Sequence, residues 1–264
     1  MGSLIVNADD YGISHEVNLA IEKGINENII DRASLMVNMP FAEEAVEMAI
    51  AGRYLSKIGL HINLVEGNPL TCDIRKTWLC ENGKFNGKIS DKKYKKSVIA
   101  DRNVLMCIEK EINAQMKKYI SWNMPLLHAD SHQHSHIKPS IFPVVMKCAE
   151  NNGFTSIRLA SLIKADNPKI STKIYKTHIN YRIKEFNKTH TAFGSNYPQI
   201  DIGCAYDSLR KQIEIDDGSI FAKNVEAWFH PSIKDGVMVN LFSKEQFDEK
   251  DIASIKVLFR RVMS

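Results

Sequence analysis

The sequence has no apolar run that approaches the roughly 20 residues a helix needs to cross a bilayer. It also has no charged start followed by an apolar segment, which is the pattern of a secretory signal peptide. Its five cysteines are an odd number, are widely spaced and include no CxxC pair. We therefore expect a soluble, cytoplasmic protein with reduced thiols and no membrane partner.

No stretch interleaves basic with aromatic residues as a nucleic-acid groove does, so we expect no nucleic-acid partner. The 35 Lys and Arg residues are scattered, and the net charge is only +4. Such a surface fits either an anionic substrate, such as a phosphorylated sugar, or ordinary solvated lysines. The chain of 264 residues contains no internal repeat or low-complexity linker, which predicts a single domain over residues 1–264.

Short apolar runs alternate along the chain with segments of helical periodicity. Strands are predicted at residues 4–8, 34–39, 58–64, 126–132, 156–159 and 225–230, and helices after Ser14 and at 41–51, 94–122, 140–151, 207–215 and 244–263. Residues 66–90 form a polar excursion, and residues 164–199 fit no element. The alternation predicts an α/β fold with a mostly parallel sheet, open or closed into a barrel.

Polar residues stand at or beside the ends of several predicted strands. They are the pair Asp9-Asp10, in a predicted polar turn, and the histidines His61, His132 and His230. Folds with parallel sheets carry their chemistry where strands end. The coincidence therefore predicts that these residues belong to one functional site.

Four of the nine histidines lie in the nonapeptide from His128 to His136. A solvated polar loop is one interpretation, but the apolar residues 124–127 and the every-other-residue pattern favour an extended segment with one polar face. Because a strand rises about 3.3 Å per residue, its two end histidines would lie more than roughly 20 Å apart. One or two of the polar side chains can then ligate an ion, and Asp130 is a candidate partner for a ligating histidine.

Asp9 and Asp10 place two carboxylates directly after a hydrophobic strand. A helix N-cap explains one such aspartate without catalysis. Two in tandem can divide the work, one binding a cation while the other takes a proton from water. His61 is either a hydrogen-bonded core histidine or, with His132 and an aspartate, part of a two-His-one-carboxylate metal set.

Two further polar residues end apolar runs later in the chain. His230, followed by Pro231, ends the run 225–229. Arg158 ends a short apolar run in the predicted strand 156–159, and it either holds a carboxylate in a bidentate pair or forms a surface salt bridge.

Five motifs stand in order along the chain: LIVNADDYG at 4–12, MVNMP at 36–40, GLHINL at 59–64, HADSHQHSH at 128–136, and Glu226 with His230-Pro231. Together they resemble the motifs of the YdjC-like carbohydrate deacetylases, which include the chitooligosaccharide deacetylases. The resemblance extends from residue 4 to about residue 231, and its first and fourth motifs are long and specific.

The resemblance implies a distorted TIM-like (β/α) barrel and hydrolysis of N-acetyl groups of amino sugars in small chitin-type oligosaccharides, some of them phosphorylated. It implies Asp10, His61 and His132 as ligands of one divalent metal ion, Asp9 as general base and His230 as general acid. Such a ligand set suits zinc or magnesium, with cobalt or manganese as alternatives. For the oligomeric state, a homodimer is one expectation. Candidates for substrate binding or for support of the ligands are Asp130, His134, Arg158 and Asn38.

Two features depart from the family pattern. The chain after about residue 235 is short and lacks an expected closing strand, which predicts an incompletely closed barrel or a missing C-terminal part. Residues 164–199 match no family motif, so the sequence does not predict which sugar is bound.

Two other functions remain as alternatives. One is another barrel-type metallohydrolase, such as an amidohydrolase or a phosphoesterase, and the other is a non-catalytic sugar- or metal-binding protein. Such metallohydrolases typically carry His-x-His on the first strand. Here the first strand leads into Asp9-Asp10, which favours the deacetylase.

Overall fold

The computed structural model describes residues 2–91, 101–159, 170–190, 200–215 and 218–261. Strands and helices alternate through most of this length. In chain order they are β1 (Leu4–Tyr11), α1 (His15–Asn26), β2 (Arg32–Leu35), α2 (Ala42–Ala51), β3 (Ile58–Ile62), β4 (Cys80–Glu81), β5 (Lys84–Phe85), α3 (Arg102–Ser121), β6 (His128–Ser131), α4 (Phe142–Asn151), β7 (Ser156–Ile157), α5 (Ile170–Thr189), β8 (Ile202–Ala205), α6 (Tyr206–Ile215), β9 (Val225–Phe229), β10 (Pro231–Lys234), β11 (Val237–Asn240) and α7 (Glu249–Arg261).

Seven strands form one sheet in the order β7-β6-β3-β2-β1-β9-β8. The pairs β3–β6, β1–β9 and β8–β9 are parallel. Every residue of β3, β6 and β9 is buried, as expected for strands covered on both faces. The predicted α/β class with an incompletely closed, barrel-type sheet is confirmed, because the strand order begins at β7 and ends at β8 with no ladder between them in the described part of the chain.

The contacts between Cα atoms group the chain into two compact units. The first comprises Met1–Asp9, Glu16–Ala33 and Ser156–Ser264, and the second comprises Asp10–His15 and Ser34–Thr155. The expectation of a single domain over residues 1–264 stays a prediction.

In the second unit, helix α3 fixes the chain that follows β3. Asp101 caps α3 by accepting hydrogen bonds from the backbone N–H groups of Asn103 and Val104. Two buried polar side chains of the helix then contact the chain beyond β3. Gln115 pairs with the backbone of Asn63 in both directions, and the Glu111 carboxylate accepts hydrogen bonds from residues 70 and 71. The start of the 66–90 excursion is therefore held in place.

In the first unit, the end strands β7 and β8 are associated through a close backbone approach. A Cβ atom added to Gly203 in β8 would lie 2.6 Å from the carbonyl oxygen of Leu159, just after β7, and 3.2 Å from the Trp228 ring. Only a residue without a side chain fits at this distance. Gly203 therefore allows the two edges to approach without a hydrogen-bonded ladder.

Two local predictions about the site segments are wrong. The predicted polar turn at Asp9-Asp10 belongs to β1, which continues to Tyr11, although Asp10 has a φ of +67°. The histidine run is not one extended segment. Strand β6 ends at Ser131, and a 3-10 helix over His132–Ile137 follows, with left-handed φ values at Gln133 and His134.

Several elements have other bounds than predicted or were not predicted. Strand β2 occupies Arg32–Leu35 instead of 34–39. Helix α5 fills much of the unassigned segment 164–199, and the short strands β4, β5, β8, β10 and β11 were not predicted. The expected start of the 94–122 helix lies largely outside the described residues, as does the end of the 244–263 helix.

Within the described ranges, no helix is long and apolar enough to cross a membrane.

The close approach at Gly203 can be tested by the Gly203→Ala substitution. We expect it to lower the free energy of unfolding by about 1–3 kcal/mol, because the new methyl group clashes with a backbone carbonyl that cannot rotate away. Urea titration followed by circular dichroism measures the change. Gly153→Asn is the control, since its φ of +72° suits asparagine and an added Cβ meets nothing within 4 Å. An unchanged unfolding midpoint for Gly203→Ala contradicts the packing argument.

Candidate metal centre

The parallel register of β3 and β6 brings His61 next to Asp130. The two residues are Cα partners on neighbouring strands, so their side chains leave the sheet on the same face. His61 Nδ1 lies 2.6 Å from Asp130 Oδ1, and the Ser34 hydroxyl donates to Asp130 Oδ2 at 2.6 Å. All three residues are buried. The carboxylate is thus fixed from both sides, and the His61 ring is oriented by it.

Asp10 faces the rings of both His61 and His132. Its Oδ1 lies 2.7 Å from His132 Nδ1 and 3.3 Å from His61 Nε2. The two rings meet edge to face, with centroids 5.7 Å apart. His132 reaches this position because it directly follows Ser131, the last residue of β6 and the Cα partner of Ile62 in β3. Three candidate ligand atoms therefore converge on one point.

The remaining nitrogen of His132 faces Glu66. His132 Nε2 lies 2.8 Å from Glu66 Oε1, and the Glu66 side chain is 44% exposed. Each imidazole therefore has one nitrogen at a supporting carboxylate and the other toward Asp10. For a neutral His61 the shorter contact favours the proton on Nδ1, at Asp130, whereas a neutral His132 has a carboxylate at each nitrogen and can donate to Asp10 or to Glu66. Metal-binding histidines show the same pattern, with the far N–H donated to a carboxylate.

The electrostatics of the set favour charge on Asp10 and on His132. Burial alone would raise the pKa of the Asp10 carboxyl, but hydrogen bonds to His132 and His61 and the charges of both rings lower it well below its usual range. Burial would lower the pKa of His132, whereas its hydrogen bonds to Asp10 and Glu66 raise it to about 9. A metal ion that binds here has to replace that proton.

The donor set fits a divalent metal ion. Ligand atoms of Asp10, His61 and His132 all lie within 4.8 Å of one another, and all three residues are buried. Two imidazoles and one carboxylate are ligands that zinc and related ions accept, and they leave positions open for water and substrate. The buried carboxylates of Asp10 and Asp130 add negative charge that a cation would balance. The chain therefore has a group of residues that could hold one metal ion.

In the first unit, Asp9 is paired with Arg158. The guanidinium donates to both Asp9 oxygens at 2.8 Å, and its Nε donates to Glu226 Oε1 at 2.6 Å. The Arg158 side chain is fully buried and also lies over the Trp228 ring at 5.1 Å. Asn7 donates to Asp9 Oδ1 at 2.8 Å. Of the two interpretations of Arg158, the bidentate pair is the one in the structure.

His230 and Asp9 each follow one residue of a paired position on the neighbouring strands β9 and β1. Ala8 in β1 and Phe229 in β9 are Cα partners, so the residues that follow them leave neighbouring parallel strands side by side. His230 Nε2 lies 4.0 Å from Asp9 Oδ2, and its side chain is 27% exposed. The candidate general base and general acid are therefore close to one another, and His230 can reach solvent.

The other candidates occupy different positions. Asn38 is buried, donates to the carbonyl of Asn68 at 3.2 Å, and accepts from Asn63 at 3.1 Å, so it braces the loop that carries Glu66. His134 is not among the converging ligands, and its half-buried ring meets that of His136 at a centroid distance of 6.3 Å. Neither placement tests a role in substrate binding.

In each unit, one carboxylate that contacts a predicted site residue was not itself predicted: Glu66, which contacts His132, and Glu226, which contacts Arg158. Glu66 was assigned to the polar excursion, although its position four residues beyond the His61 strand is a signal that could have found it. Glu226 was noted only as part of a motif. Its location within an otherwise apolar strand, three residues before that strand ends, is the corresponding signal.

The chain is similar to proteins that are named carbohydrate deacetylases. The carbohydrate deacetylase of Brevibacillus brevis is 37% identical over 147 residues, covering 56% of this chain and 55% of that protein, so the chain spans about half the length of this relative. The carbohydrate deacetylase of Clostridium beijerinckii is 33% identical over 187 residues, covering 69% and 71%.

A crystal structure from Enterococcus faecalis, of a protein provisionally named for cellobiose-phosphate cleavage, has a TM-score of 0.65 at 18% identity. The match covers 89% of this chain and 82% of that one, and it shows a shared fold. Residues 3–255 match the family described as YdjC-like protein. The match spans nearly the whole chain, and the chain therefore belongs to the YdjC-like protein family.

Proposed function

We propose that the protein is a metal-dependent carbohydrate deacetylase that removes N-acetyl groups from amino sugars of small chitin-type oligosaccharides. One observation carries the proposal: ligand atoms of Asp10, His61 and His132 converge in a buried position, with a carboxylate behind each imidazole. Membership of the YdjC-like family and the names of the curated relatives support the reaction class.

Asp10, His61 and His132 would hold the ion, with Asp130 and Glu66 fixing the two rings. A bound zinc, magnesium, cobalt or manganese ion would polarise the acetyl carbonyl and lower the pKa of a water molecule towards neutrality. The donor set suits zinc best, because two imidazoles and a carboxylate are its common ligands, whereas magnesium prefers oxygen ligands and would need more water.

Asp9 is our proposed general base. Arg158 and Asn7 fix its orientation, and the Arg158 charge compensates the buried carboxylate. An ionised carboxylate has about four lone-pair sites, so Asp9 keeps acceptor capacity for the proton of an attacking water while it is paired. Glu226 acts through Arg158 and is a positioning residue.

His230 is our proposed general acid. Its Nε2 lies near Asp9, and its partial exposure lets it exchange a proton with solvent after each turnover. It would give its proton to the departing amine as the C–N bond breaks, and acetate and a free amino sugar would result.

The primary test is acetate release from N,N′-diacetylchitobiose. We expect release by the metal-loaded protein, loss of release after treatment with a chelator, and recovery when zinc or manganese is added back, because the ligand set is the only route to an activated water in this proposal. A coupled acetate assay and mass spectrometry of the sugar measure it. Sugar binding without acetate indicates a binding protein, and hydrolysis of phosphate esters instead indicates a phosphoesterase.

The role of Asp9 is tested by Asp9→Asn. We expect the variant to bind metal as tightly as the wild type but to lose activity by about 10²–10⁴-fold, because an amide cannot accept the proton. Calorimetric metal titration and the acetate assay separate the two effects. Glu226→Gln is the matched control, since it also perturbs Arg158 but keeps the base, and it should lose less activity. Equal losses in both variants would contradict the assignment of Asp9 as the base.

The role of Asp130 is tested by Asp130→Asn. We expect metal affinity to fall by about 10- to 100-fold, because His61 loses the carboxylate that orients its ligating nitrogen. Ser34→Ala removes the hydroxyl that donates to the other Asp130 oxygen, and it should have a smaller effect in the same direction. Calorimetric titration with zinc measures both variants. If Asp130→Asn binds zinc as the wild type does, Asp130 does not support the metal ligands.

A further inference from the structure

Phe242 is an exposed aromatic residue beside the proposed general acid. Its side chain is 63% exposed, and its ring centroid lies 4.9 Å from that of His230 at an interplanar angle of 67°. It lies just beyond β11, in the turn that leaves the hairpin of β10 and β11. Single exposed apolar side chains are common on protein surfaces, so it is the contact of Phe242 with His230, and not its exposure alone, that points to a ligand.

The turn that carries Phe242 is well hydrogen-bonded. Asn240 Oδ1 accepts from the N–H groups of Phe242 and Ser243 at 2.9 and 3.1 Å. The N–H of Leu241 donates to the carbonyl of His230 at 2.7 Å. The residue before Phe242 is therefore hydrogen-bonded to the backbone of the candidate acid. A ring that is positioned in advance loses little entropy when it binds a ligand.

A second phenylalanine near this hairpin, Phe247, connects the hairpin of β10 and β11 to the core. Phe247 packs edge to face on the buried ring of Phe229, with centroids 4.9 Å apart, and it is only half-buried itself. The N–H of Phe247 also bonds to the carbonyl of Met238 in β11. Phe247 thus connects the hairpin to the core. Phe242 is not needed for that purpose, and its exposed face is available to a ligand.

The chemistry of a sugar ring matches this surface. One face of a pyranose presents several C–H groups, and these stack on the electron-rich face of an aromatic ring while the hydroxyls remain solvated. A protein partner fits less well, because one phenylalanine side chain offers on the order of 200 Å², against roughly 800 Å² per partner in a stable interface.

We propose that Phe242 is a stacking platform for the pyranose ring that carries the acetamido group. The inference rests on the proposed function in placing His230 at the departing amine, because that amine is attached directly to the ring. A sugar whose nitrogen contacts His230 Nε2 would have its ring centre within about 5–6 Å of that atom. The Phe242 ring centroid lies 4.9 Å from the centroid of the His230 ring, so the sugar ring and the Phe242 ring would be neighbours. The platform would select for sugars with a C–H face and bind substrate and transition state alike.

Binding is tested by rapid mixing of N,N′-diacetylchitobiose with the metal-loaded Phe242→Trp variant. We expect the fluorescence of the new tryptophan to change before turnover, with a dependence on sugar concentration that the wild type, with its three native tryptophans, does not show. Phe242→Ala should bind the disaccharide about tenfold more weakly in calorimetry and raise KM by a similar factor with kcat nearly unchanged. Phe242→Tyr should behave as the wild type does.

Ile215→Ala is the control, because Ile215 is also exposed, at 79%, but lies at the end of α6. It should change neither affinity nor KM. Equal affinity of Phe242→Ala and the wild type overturns the platform, as does a wild type that does not bind the disaccharide. A dimer in sedimentation that Phe242→Ala dissociates identifies a second copy as the occupant and overturns it too. Tight, Phe242-dependent sugar binding without acetate release refutes the proposed function and retains the platform.

Discussion

The buried carboxylate of Asp10 is the constraint on which the candidate metal centre depends. An ionised group in a fully buried position requires opposite charge or hydrogen-bond donors. His132 and His61 both face its Oδ1, and the second nitrogen of each ring is engaged by a carboxylate, Glu66 or Asp130. Rotation of either ring would break two contacts at once. The ligand geometry is therefore fixed by the protein's own charges.

Strand register produces the pairings in both units. In a parallel pair, aligned residues project to the same face, so His61 and Asp130 meet without any distortion of the chain. The alignment of Ala8 with Phe229 places Asp9 and His230 side by side in the same way. The core burial that selects the register thus also selects these contacts within each unit, because a slip by one residue would turn the polar side chains to the other face.

The sequence was sufficient to predict the strand-end residues and one partner, Asp130, but not the partners Glu66 and Glu226. The strand pattern predicts functional residues at Asp10, His61 and His132, because each interrupts or ends an apolar strand, and the resemblance implies that they are the metal ligands. Glu66 contacts His132 in one unit and Glu226 contacts Arg158 in the other through tertiary pairing, which periodicity does not encode. The histidine run shows the same limit. Its alternating pattern predicted a strand, whereas residues 133 and 134 have left-handed φ values that kink the 3-10 segment His132–Ile137. Segments such as α5, with a weakly amphipathic and lysine-rich sequence, were equally beyond pattern analysis.

The different partners of Asp9 and Asp10 argue for different roles of these adjacent carboxylates. An arginine stays protonated and offers no lone pair, so the bidentate Arg158 that binds Asp9 cannot share a metal ion with it. The imidazoles that face Asp10 can lose a proton and then ligate. Asp10 also has a left-handed φ of +67°, which aspartate tolerates better than most residues and which interrupts the alternation of side chains along β1. Such backbone strain, of about 1–3 kcal/mol, persists where the surrounding structure fixes it. The partners alone therefore favour Asp10 as the ligand and leave Asp9 for proton transfer.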